Sequence, residues 1–295
     1  MSAVDLEGTT AAATARPLRG EGLRHLVRRP AGVFGLVVVT LLLVLAIFAP
    51  QIAPQDPYEQ DIADRFAASS SAHWMGTDEL GRDTLSRLIV ATRTAMLVAL
   101  PAIAIALLLG VSTGLIAGYV GRWVDGGLVI VNDTLQAFPG LVLALVVIAL
   151  LGPSLRNEVI LIGLTVAPSY FRVTRASMLS AREEVYVDAE RALGASTPRV
   201  LGHIMPNIVP PILVLVAMDI PGVIAIDAGL SFLGLGVQPP TPSWGVMLDA
   251  GFRNLVRSPW LVIFTSAALA TATLGFTFLG EALREVFDPR TREAG

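Results

Sequence analysis

The chain has 295 residues, 54% of them hydrophobic and 15% charged, with a formal net charge of −3. A soluble domain carries roughly a quarter charged residues, so the deficit points to lipid rather than to a large aqueous core. There is no cysteine and all 21 basic residues are arginine, which excludes disulfides, thiolate and Schiff-base chemistry, and an ordinary P-loop, whose lysine reaches the β/γ-phosphates. The three histidines, His25, His73 and His203, lie far apart in sequence, and a shared metal site is not expected.

In chain order, residues 1–30 read as a cytoplasmic tail, with Met1–Arg19 rich in Ala, Thr and Gly and expected to be disordered. Ala31–Pro50 is a charge-free apolar run, placing a first span at 31–53; about 20 such residues cross the hydrocarbon core. Arginines precede it, but the stretch before it and its apolar core are both long for a cleaved signal. Residues 54–90 form an outer loop, and Thr94–Gly121 supplies a second span at 94–120. Thr134–Leu155 belongs to a third, placed at 127–152. Val159–Phe171 is short before Arg172, and length alone would make it buried or re-entrant.

Ile204–Leu248 is charge-free except for Asp219 and Asp227, and holds a span at 207–234 and an outer connection at 235–258. Ser258–Gly280 provides the last span, 259–281, before a cytoplasmic tail at 284–295. With a fourth span at 157–177 and both termini inside, 14 arginines fall in the cytoplasm and 7 outside, which the positive-inside rule favours. Omitting the fourth span would strand the arginines of 172–199 outside. No internal repeat is visible, which weakens an inverted-repeat secondary transporter.

After the first span the chain reads His73-Trp74-Met75-Gly76-Thr77-Asp78-Glu79-Leu80-Gly81-Arg82-Asp83. This resembles the external signature of the dipeptide/oligopeptide/nickel branch of ATP-binding-cassette (ABC) importer permeases. The stretch Ser231-Phe232-Leu233-Gly234-Leu235-Gly236-Val237-Gln238-Pro239-Pro240-Thr241-Pro242-Ser243-Trp244-Gly245 is similar to that branch's second signature. Asp125, Asp133 and Phe138-Pro139 stand at familiar spacing, although Ile130 occupies a position where relatives often carry arginine. The pattern is closer to the C-type member of the permease pair.

The resemblance implies an all-α membrane protein of the type I ABC permease fold, with five core helices in an ABC transmembrane domain at 91–283 and one extra span before it. It implies a homologous second permease, two ATPase subunits that carry ATP and magnesium, and an extracytoplasmic solute-binding protein. No cofactor is expected on this chain, nor a nucleic-acid partner.

Between the fourth and fifth spans, in the cytoplasmic segment 178–206, Val185, Ala189, Ala192 and Leu193 recur at helical spacing and give one apolar stripe. Gly194 can supply a left-handed cap. Thr197 then suits an N-cap and Pro198 the first position of a second, short helix. Such an elbow reads either as a docking knob or as a loop helix lying on the headgroups. Asp188-Ala189-Glu190-Arg191-Ala192-Leu193-Gly194 resembles the EAA loop that these permeases insert into the ATPase subunit, and Ser196, Arg199 and Pro206 belong to the same surface by that likeness. Two departures stand out: Asp188 replaces the first glutamate, and Glu190 replaces a small residue. The stretch from Gly194 to Pro206 is also one residue short of the usual spacing.

Asp219 and Asp227 would each cost roughly 2.5–3.5 kcal/mol at the bilayer centre. They are therefore expected to face protein or a water-filled path, either lining it for a peptide's ammonium group or bonding to the partner permease, and Asp227 is the stronger candidate. Pro221 and Gly222 are expected to break the helix between them. Outside, Gly76, Thr77, Asp78, Gly81, Arg82 and Asp83 form either a knob beneath the binding protein or a self-satisfying Asp–Arg loop. Gln238, Pro239 and Pro240 open a stiff connection, and Trp244 with Trp260 suits an interfacial aromatic pair.

Overall fold

The computed structural model describes residues 29–287; His25, Arg16, Arg19, Arg24, Arg28, Arg290, Arg292 and most of the two expected tails lie outside them. Nine α-helices account for most of the described residues: α1 (Pro30–Ile52), α2 (Thr84–Val120), α3 (Arg122–Ala137), α4 (Gly140–Leu151), α5 (Leu155–Ala181), α6 (Val185–Ala192), α7 (Thr197–Phe232), α8 (Trp244–Arg253) and α9 (Trp260–Phe287). Among the described residues there is no strand, only a single bridge between Thr77 and Asp83.

Four helices, α1, α2, α7 and α9, are individually long and apolar enough to cross a bilayer, and the bent pair α3–α4 makes a fifth if it is taken as one span. At 27 residues α5 is about 40 Å long, but Arg156, Glu158, Arg172 and Arg175 dilute its apolar run. The third run, expected as a span at 127–152, bends by 90° between α3 and α4. Pro139 restricts Phe138 to extended geometry (φ −85°, ψ 130°), which ends α3.

Helices α2 and α5 run parallel and form the centre of the molecule. Gly110, Gly114 and Gly118 recur every fourth residue on α2, and a Cβ on them would lie 2.4 Å from the Ala167 carbonyl, 2.8 Å from the Phe171 carbonyl and 2.7 Å from Met178 Cβ. Lipid gives no hydrophobic drive between helices, so backbones gain by approaching through small residues. A similar contact joins α1 to α9, which run antiparallel: a Cβ on Gly35 would meet the Leu279 backbone nitrogen at 2.6 Å, and Phe34 packs edge-on against Phe278 at 5.7 Å.

The break expected at Pro221–Gly222 is absent, since α7 continues through Pro206, Pro210, Pro211 and Pro221. Each proline removes one backbone donor. In an apolar environment a continuous helix still leaves fewer unsatisfied groups than an irregular segment. For the same reason the helix after the elbow is not short: it is the first turn of this 36-residue element, with Ser196 rather than Thr197 at its N-cap.

Candidate functional site

Chain direction fixes two ends. Helix α2 starts beside the signature loop and finishes beside the elbow, so its 37 residues hold the two motifs about 55 Å apart. Arg182 Nη1 donates to the Gly118 carbonyl at 2.9 Å, tying the start of the elbow to the end of α2. Nearby, Arg175 donates to both carboxylate oxygens of Asp125, and Arg172 approaches Asp133 at 3.4 Å. Together these pin the amphipathic α3 to α5.

The elbow is a short helix with a formal stop. Gly194 has φ +77°, its N–H donates to the Arg191 carbonyl at 3.0 Å, and the Ala195 N–H donates to the Glu190 carbonyl at 3.0 Å. These two bonds are the Schellman motif, which needs a residue in the left-handed region. Only Val187 of α6 is buried. The stripe of Val185, Ala189, Ala192 and Leu193 faces away from the chain, with Val185 83% and Leu193 88% exposed. Asp188, Arg191, Ser196, Arg199 and Pro206 are exposed around it. Asp188 and Arg191 approach at 3.9 Å, and the Arg191 guanidinium lies 5.9 Å above the Tyr119 ring.

At the opposite end the signature loop is knotted around Asp78. Its carboxylate accepts from Leu80 N–H at 2.9 Å and from Arg82 through N–H at 3.1 Å and Nε at 2.7 Å, with Arg87 Nε at 3.3 Å. Asp83 caps α2 by accepting from Ser86 N–H at 2.8 Å and meets His73 Nδ1 at 3.0 Å. Thr77 accepts from Ala67 N–H at 2.8 Å and donates to the Asp64 carbonyl. Gly76 and Gly81 have φ +72° and +76°, and a Cβ on Gly81 would overlap the Asp61 carbonyl. This is the geometry of a self-satisfying Asp–Arg loop.

The outer connection is not only a stiff loop, because α8 lies within it, capped by Ser243 accepting from Val246 N–H at 3.2 Å. Gln238 Nε2 donates to the Gly234 and Gly236 carbonyls at 3.1 and 3.0 Å, and the Pro239–Pro240 bond is cis. Pro239, Met247 and Arg253 face Asp78, Arg82 and Arg87 across a cleft of about 360 Å³. The expected interfacial pair divides: Trp260 is exposed, but Trp244 is 1% exposed. Gly245 beside it presses on α7, where a Cβ would lie 2.2 Å from the Ala228 carbonyl, and this contact draws Trp244 into the interior.

Of the two membrane acids, Asp227 is buried and Asp219 half-buried. Asp219 lies beside the Tyr170 hydroxyl. Asp227 meets the Ser231 hydroxyl at 3.5 Å and sits beside Glu158 of α5, which is wholly buried. The sequence reading passed over Glu158. Its signal was an acid at the start of a membrane-length helix, where burial is costly. Ser231 also accepts from Val237 N–H at 3.1 Å, so the same cluster joins α5, α7 and the outer connection.

Residues 110–293 match the model of the binding-protein-dependent transport system inner membrane component. The chain belongs to that family. Residues 18–68 match the N-terminal transmembrane domain of oligopeptide transport permease C, so the permease carries the extra first helix as well as the shared core. It is 36% identical over 273 residues to the dipeptide transport system permease protein DppC of Alkalihalophilus pseudofirmus, covering 92% of this chain and 90% of that protein. It is 35% identical to the glutathione transport system permease protein GsiD of Pectobacterium atrosepticum, covering 91% and 90%. The di/tripeptide transport system permease protein DppC of Pseudomonas aeruginosa is 36% identical, covering 88% of each chain. The permease is thus an inner-membrane transport component.

Proposed function

We propose that this permease forms half of the transmembrane pathway of an ABC importer for dipeptides or oligopeptides. A homologous second permease completes the pathway, two ATPase subunits bind and hydrolyse ATP, and an extracytoplasmic binding protein delivers the substrate. The observation that carries the reading is the elbow: a helix stopped by a Schellman motif that presents Val185, Ala189, Ala192 and Leu193 outward. An apolar stripe without a partner among the described residues is what a docking helix offers a groove. ATP binding and hydrolysis would favour different packings of the membrane helices, with the differential contact made at α6.

Six spans with both termini inside fit the alternation of direction. The chain passes from the elbow end to the signature end along α3–α4, returns along α5, and crosses again in α7 and α9. Reporter fusions at residues 122 and 190 should report the cytoplasm, and fusions at 70 and 245 the outside; an external signal at 190 overturns this topology. The docking reading is tested with Val185→Asp combined with Leu193→Asp, purified with the neighbouring permease and ATPase subunits. The variant should keep the partner permease and lose the ATPase subunits, and full retention of the ATPases refutes the assignment. The glutathione permease among the relatives favours a second reading of the cargo, in which the same machinery takes that tripeptide. Mass spectrometry of the ligand that co-purifies with the cognate binding protein separates the two.

A further inference from the structure

Helix α6 has only eight residues and one buried side chain, Val187. A two-turn helix is marginal alone, and a single apolar anchor leaves it free to pivot. Two polar rungs remove that freedom. The Tyr186 hydroxyl accepts from Asn207 Nδ2 at 3.2 Å, and the Glu190 carboxylate accepts from His203 Nδ1. Tyr186 and Glu190 are four residues apart on α6, and His203 and Asn207 four apart on α7, so each pair lies on one helical face. The rungs cross in the antiparallel sense, with 186 against 207 and 190 against 203. Tyr119 at the end of α2 completes the support by donating to Thr197 Oγ1 at 3.3 Å.

Glu190 reaches α7 through its bond to His203. A small side chain would not span the gap to α7. One carboxylate oxygen of Glu190 is buried with no hydrogen-bond partner among the described residues, while His203 is exposed. The acid is thus held in a partly dry crevice by one directed bond. We propose that Glu190 and His203 are positioning residues that set the angle of α6 against α7 and so govern the coupling of ATP hydrolysis to transport. The proposal rests on the reading of α6 as the ATPase-docking helix.

The test uses the whole transporter in proteoliposomes, with ATPase activity and uptake measured on one preparation. Glu190→Ala and His203→Ala should each leave subunit composition unchanged and lower transport per ATP by about fivefold or more. The double variant should fall no further, because both changes remove the same interaction. Glu190→Gln, which keeps an acceptor for the imidazole N–H, should recover most of the loss. Wild-type coupling in both alanine variants, or a double variant that loses the sum of the two, overturns the brace. So does loss of ATPase subunits from both, since the pair would then hold the helix in place rather than orient it. Failure of the wild-type permease to retain ATPase subunits would instead overturn the docking reading itself.

Discussion

Replacing Gly194 tests the elbow most directly. Its φ of +77° lies in the left-handed region, and a Cβ there would meet nothing within 4 Å. The cost of a side chain is therefore wholly conformational: about 1–2 kcal/mol for an ordinary residue, and more for a β-branched one. That shifts a local equilibrium by a factor of roughly 5–30 and puts at risk the two bonds from Gly194 and Ala195 that close α6. It is too little to disturb membrane helices packed through backbone contacts. Gly194→Val should insert normally, retain the partner permease, and either lose the ATPase subunits or hydrolyse ATP without uptake. Gly194→Asn, which tolerates the left-handed region, should behave nearly as wild type. ATPase activity, uptake and subunit composition read from one reconstituted sample distinguish the outcomes. Full coupling in the valine variant would refute the idea that the cap geometry matters.

Asp78→Asn removes the charge that faces two buried guanidinium groups, Arg82 and Arg87. Breaking such a pair costs about 3–5 kcal/mol, so thermal unfolding in detergent should move clearly to lower temperature, and an unchanged transition argues against the knot. Gly114→Leu must push α2 away from the Phe171 carbonyl and Thr174; it should give aggregated protein on size exclusion, whereas Gly126→Ala, with open space around it, should stay monodisperse. Arg175→Gln loses charge-assisted bonds to Asp125, a loss of about 1.5–3 kcal/mol. Arg175→Lys should restore little of it, because a point charge cannot replace the two-pronged contact; a lysine variant as stable as wild type contradicts this.

Much of the molecule is legible without coordinates, because lipid imposes a simple rule. Each spanning segment must satisfy its own backbone, so length and apolarity mark the helices. Gly194 also declared itself, since a glycine closing a short helical pattern has few other uses. What the sequence could not show depends on contacts between segments. It expected Pro221 and Gly222 to break α7, which instead runs on as one helix past them. It read Trp244 by residue type, although the approach of Gly245 to α7 buries it. It left open which way the stripe on α6 faces, because periodicity gives a face and not a direction. The pairings of Glu158 with Asp227 and of Glu190 with His203 came from tertiary structure alone. Residues 69 and 13 positions from their partners become neighbours only when whole helices pack, and no local pattern carries that information.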